Sequence, residues 1–91
     1  MKVLMIGGQM HAMKEAILFG TRRDNIEEIL HHRNLIRMKD GSEIHMCVIR
    51  SERDTECLRG MHFDLIIEHE TFPKSIYLLQ LVRAITLRLG A

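Results

Sequence analysis

Lys2-Val3-Leu4-Met5-Ile6-Gly7-Gly8-Gln9 is the stretch on which the fold turns. Its first residues form a short β-type run, and a glycine pair ends that run as a strand-to-helix turn. From Gln9 the pattern changes to a helical one. Met10, Met13, Ala16, Ile17 and Phe19 recur at helical spacing, and Gly20 is a natural stop. Strand, tight turn and helix in that order open an α/β layered domain.

Further along the chain, Asp24 reads as an N-cap, with Glu27 three residues on as its capping-box partner. The spacing of Ile26, Ile29 and Leu30 predicts a helix over Asn25 to His32, whose early acids and late His31, His32 and Arg33 suit the helix dipole. Leu35-Ile36-Arg37-Met38 and Ile44-His45-Met46-Cys47-Val48-Ile49 then flank Lys39-Asp40-Gly41-Ser42. Asp-Gly between two β-type runs predicts a hairpin, because Gly supplies the positive φ that the turn needs. Ser51 to Gly60 is polar, with a helical turn around Asp54 to Leu58. Phe63-Asp64-Leu65-Ile66-Ile67 is an apolar run of the type that suits a strand buried on both faces of a mainly parallel sheet. Pro73 fits the first turn of a helix over Lys74 to Leu89, ended by Gly90. The predicted fold class is therefore α/β: one domain over residues 1–91, with a small, mostly parallel sheet, one antiparallel β-hairpin and helices packed on it.

Composition bounds the function. Lys and Arg number 13 against 12 Asp and Glu, a formal charge of +1, whereas domains that bind nucleic acid non-specifically usually carry a clear basic excess. No apolar run reaches the 18 or so residues of a membrane span, and Gly7-Gly8 cuts the N-terminal run too short for a signal peptide. The two cysteines, Cys47 and Cys57, carry no CxxC spacing and read as reduced thiols of a cytoplasmic protein.

Several residue groups could carry chemistry. Gly7-Gly8 invites a phosphate-loop reading, but neither G-x-G-x-x-G nor G-x-x-x-x-G-K-[ST] occurs in the chain, so no nucleotide cofactor is expected. Six histidines are scattered, with no H-E-x-x-H or zinc-finger spacing. Glu68-His69-Glu70 ends an apolar strand, where α/β sheets gather ligands. Strand alternation would set Glu68 and Glu70 on one side, as candidate Mg²⁺ ligands or simply as a charged terminus facing solvent. Arg22, Arg23, Arg33 and Arg37 are a candidate basic patch, against the plainer reading of a solvated charged face. The last helix is apolar nearly all round. Ile76, Leu78, Leu79, Leu81, Val82, Ile85 and Leu89 are candidate residues of a homodimer interface.

Taken in order, Gly41-Ser42-Glu43-Ile44-His45-Met46, Leu58-Arg59-Gly60, Phe63 to Glu70, then Pro73 and a helix resemble the ATPase domain of phage large terminase subunits. In that family a G-S-x-I hairpin strand precedes L-R-G and an apolar Walker B strand ending in Asp-Glu. The resemblance implies a degenerate P-loop NTPase-like core of phage or prophage origin. The family's P-loop would lie before residue 1, His69 stands where the Mg²⁺-holding Asp belongs, and Glu70 stands where the catalytic Glu belongs. Imidazole is a poor substitute for a hard carboxylate ligand of Mg²⁺. The opening run and the later D-L-I-I are also similar to small receiver-like domains, but Gly7-Gly8-Gln9 replaces their acidic pair and no Asp follows Ile67. The resulting expectation is a non-catalytic protein-interaction module that self-associates and takes no cofactor. Two alternatives stay open. One is a component of a split ATPase whose P-loop comes from another chain, with Glu70 positioning water and Arg59 sensing phosphate. The other is a nucleic-acid-binding adaptor working through the arginines.

Overall fold

The computed structural model describes residues 1–86. It is a mixed α/β domain around one five-stranded sheet of order β2-β3-β4-β1-β5. The strands are β1 (Lys2–Gly7), β2 (Ile26–Leu30), β3 (Leu35–Met38), β4 (Glu43–Val48) and β5 (Leu65–Glu68). Helix α1 (Met10–Gly20) follows β1, α2 (Ile76–Thr86) follows β5, and 3₁₀ segments occupy Arg23–Asn25, His31–Arg33 and Glu52–Leu58. The central strand β1 runs parallel to both of its neighbours, β4 and β5. The β2-β3-β4 side is antiparallel.

The sheet is thus evenly mixed rather than mostly parallel, because Ile26–Leu30 is a strand and not the expected helix. The spacing that suggested the helix has a different cause. The register shifts between Ile26 and Glu28, so Ile26 faces Met38 and Ile29 faces Ile36. This bulge puts two isoleucines three residues apart onto the same face, which a regular strand would not allow. Asp24 lies in a 3₁₀ turn, and the capping box instead joins Ser51 and Asp54 at the start of Glu52–Leu58.

The β3–β4 hairpin forms as expected. Gly41 has φ of 91°, the Asp40 carboxylate accepts the Ser42 N–H at 2.8 Å, and Met38 N–H bonds the Ser42 carbonyl at 2.8 Å. Hydrogen bonds from the Ser42 N–H and hydroxyl hold the Asp40 carboxyl below its ordinary range. Helix α2 starts at Ile76, with the Ser75 hydroxyl accepting the Leu78 N–H. Pro73 lies before it. The expected continuation through Leu87, Leu89 and Gly90 falls outside the described residues.

The sheet separates two cores. On one face Met5, Ile36 and Met46 meet Met13 and Ile17 of α1. On the other, Leu4, Ile6 and Ile49 meet Leu58, Phe63, Phe72 and the Leu78 and Val82 of α2. The strictly alternating burial of β1, Leu4 and Ile6 one way and Met5 the other, makes it the shared wall of both.

Candidate functional site

The carboxyl ends of β1, β4 and β5 come together where an open parallel sheet would hold a ligand. Here the chain fills that crevice itself. The turn after β5 brings the Thr71 hydroxyl onto the glycine pair, where it accepts the Gly8 N–H at 2.9 Å and the Gln9 N–H at 3.3 Å. The same hydroxyl lies 2.8 Å from His69 Nδ1, which also accepts the Thr71 N–H at 3.1 Å. That nitrogen therefore carries a lone pair, and the hydroxyl donates to it. The Gly8 carbonyl is equally occupied, held by Arg50 Nε at 3.0 Å and Nη2 at 2.8 Å. A Cβ at Gly8 would overlap the Thr71 carbonyl, and one at Gly7 would meet Met13 Sδ at 2.8 Å and Thr71 Oγ1 at 2.9 Å. The glycines thus serve a close backbone approach, and the amides a phosphate would need already have acceptors.

The sequence-derived site residues are dispersed around this clasp. Strand β5 ends at Glu68, and Phe72 N–H bonds the His69 carbonyl across a turn. Glu70 sits in that turn, so the alternation expected to align it with Glu68 stops before reaching it. Arg59 precedes β5 and is paired with Glu56 of its own segment at 2.7 Å. No group of three or more potential metal ligands occurs among the described residues. The arginines do not form one patch. Arg22 and Arg23 precede β2, Arg33 follows it, and Arg37 is held by Glu28 at 3.0 Å and Glu43 at 3.5 Å.

The expected interface on the last helix divides. Leu78 and Val82 belong to the chain's own core, Val82 with no exposure at all, so neither is free for a partner. Leu79 and Ile85 pack half-buried against the same core, and Leu81 is half-buried. Ile76 is 75% exposed and lies beside the exposed Tyr77. Leu89 lies outside the described residues.

Three features escaped the sequence. The first is the edge position of β5, expected to be buried on both faces. It pairs with β1 alone, and Leu65 and Ile67 stay 45% and 38% exposed. Because His69 N–H donates to the Ile6 carbonyl, alternation turns the backbone groups of Ile66 and Glu68 outward, unpaired within the chain's sheet. The second is a groove of about 610 Å³ between the end of α1 and β2, with exposed Phe19 at its rim. The third is the approach of Cys47 and Cys57, whose sulfurs lie 3.1 Å apart as free thiols. Only the five-residue run from Phe63 to Ile67 carried a hint of the first, since Asp64 interrupts it.

No described helix is long and apolar enough to cross a membrane. No family model, curated protein or solved structure matches the chain.

Proposed function

We propose that this chain is a non-catalytic protein-interaction module that self-associates through the open edge of its sheet at β5, on a terminase-like core of phage or prophage origin stripped of its nucleotide site. The observation that carries the reading is the contrast between the two sheet edges. Edge strand β2 presents Glu27 and Glu28 to solvent, and edge charges discourage pairing with another chain. Edge strand β5 presents Leu65 and Ile67 beside outward backbone groups of Ile66 and Glu68. Such an edge is a template for a further strand, and an identical edge from a second copy supplies one by antiparallel pairing. The occupied clasp at Gly8 and the pairing of Arg59 with Glu56 speak against a nucleotide site assembled by this chain.

Light scattering coupled to size exclusion, with and without ATP and Mg²⁺, tests the reading. The expected result is a nucleotide-indifferent dimer that Ile67→Lys converts to monomer. Ile67 is an exposed position, so its substitution is expected to change monomer stability by no more than about 0.5 kcal/mol. A wild-type monomer would overturn self-association, and one whose mass or stability responds to ATP would favour the split-ATPase alternative.

A further inference from the structure

Cys47 lies in β4, and Cys57 lies in the 3₁₀ segment Glu52–Leu58. The chain is turned back between them by specific bonds. Arg50 N–H and Ser51 N–H both donate to the Asp54 carboxylate, at 2.8 and 3.2 Å, and Ser51 and Asp54 complete a capping box. The segment so started returns Cys57 to the side of β4, with its Sγ 3.1 Å from that of Cys47. The Cys57 thiol also donates to the Asp54 carbonyl at 3.1 Å, which leaves a sulfur lone pair for the Cys47 S–H. The two environments differ. Cys57 is exposed, whereas Cys47 is half-buried beside a cavity of about 200 Å³ bordered by His45, Met61 and Phe63. Bonding the two sulfurs requires them to close by about 1 Å, within reach of side-chain rotation.

We propose that Cys57 and Cys47 form a peroxide-reactive dithiol that closes to an intramolecular disulfide tying β4 to the Glu52–Leu58 segment. The exposed Cys57, as thiolate, attacks a hydroperoxide. A sulfur–oxygen bond forms, the oxygen–oxygen bond breaks, and the alkoxide leaves as the alcohol after taking up a proton. Cys47 sulfur then attacks the Cys57 sulfenic acid. The sulfur–sulfur bond forms, the sulfur–oxygen bond breaks, and the departing hydroxide leaves as water with the Cys47 proton. Two thiols are oxidised by two electrons in all, and one hydroperoxide is reduced to alcohol and water. The order follows from exposure. Burial, and then the hydrogen bond with Cys57, push the Cys47 thiol up to about 12, so it is a poor first nucleophile at neutral pH.

The test treats the full chain with hydrogen peroxide and follows it by non-reducing mass spectrometry. Cleavage at Arg50 and Arg53 separates the two cysteines, so a bridge is read directly from the peptide map. Expected are the loss of both free thiols with two hydrogens of mass, a Cys47–Cys57 link within one chain, and recovery by dithiothreitol. Cys47→Ser should stop at a sulfenic acid on Cys57 that dimedone traps. In Cys57→Ser, Cys47 should react more than about a hundredfold more slowly than Cys57 does in Cys47→Ser. Dimedone adducts on wild type without a bridge, bridges only between chains, or equal reactivity of the two single variants would overturn the proposal.

Discussion

Thr71→Val is the sharpest probe of the clasp that closes the sheet's carboxyl end. Valine keeps the shape of threonine and removes only the hydroxyl. That hydroxyl accepts the N–H groups of Gly8 and Gln9 ahead of α1. Gln9 is exposed, so water can replace its lost partner. Gly8 is buried, and an unsatisfied buried donor costs about 1–3 kcal/mol. Loss of a side-chain cap at a helix start falls in a similar range, about 0.5–2 kcal/mol, and overlaps with it. A total near 2 kcal/mol is expected. For a domain of 91 residues this lowers Tm by about 10 °C. With a slope of about 1–1.5 kcal/mol/M in urea, the midpoint falls by roughly 1.5 M without a change of slope. Thr71→Ser keeps the hydroxyl and should lose less than about half as much. Urea unfolding of the three proteins followed by circular dichroism decides the matter. A valine variant within about 0.5 kcal/mol of wild type, or a serine variant as damaged as the valine one, would refute the assignment of the clasp to that hydroxyl.

Two further outcomes follow from placement and charge. Val82→Ala empties part of a fully buried site and should cost about 1–3 kcal/mol, whereas Ile76→Ala, on the exposed side of the same helix, should stay within about 0.5 kcal/mol; thermal melts of both separate the core face of α2 from its free face. Glu43 is hydrogen-bonded to His45 at 3.1 Å, which holds its carboxyl below the ordinary range against partial burial, with added help from the His45, Arg37 and Lys2 charges. A carboxylate lowered on folding stabilises above its unfolded value and loses that contribution as pH falls through the folded one. Wild type should therefore exceed Glu43→Gln in stability at pH 7, and the gap should shrink below about pH 4.3, as urea midpoints across that range would register.

How much of this was legible in the sequence depended on how local each signal was. The helix to Gly20 and the Asp40-Gly41 hairpin turn are set by bonds among residues a few positions apart. Each element's own composition therefore announced them. Ile26, Ile29 and Leu30 misled because a bulge and a helix turn both bring residues three apart onto one face. Only pairing with β3 distinguishes the two. The apolar run from Phe63 was read correctly as a strand but not as an edge, since nothing within Leu65–Glu68 records whether a neighbour lies on its outer side.

The candidate sites divide along the same line. Residue types and spacings along the chain were enough to show that no phosphate-loop motif is present and that the charges nearly balance. Whether Gly8 is open or covered was decided by Thr71, 63 positions away, and whether Cys47 meets Cys57 by a reversal of the chain held through Asp54. Helix periodicity showed α2 to be apolar, while packing against Leu4, Ile6 and Phe63 determined which of its residues remain free. Local propensity acts through neighbouring residues in the unfolded chain as well as the folded one. Contacts between distant residues exist only after the sheet has set their distance and direction, and so belong to the tertiary structure alone.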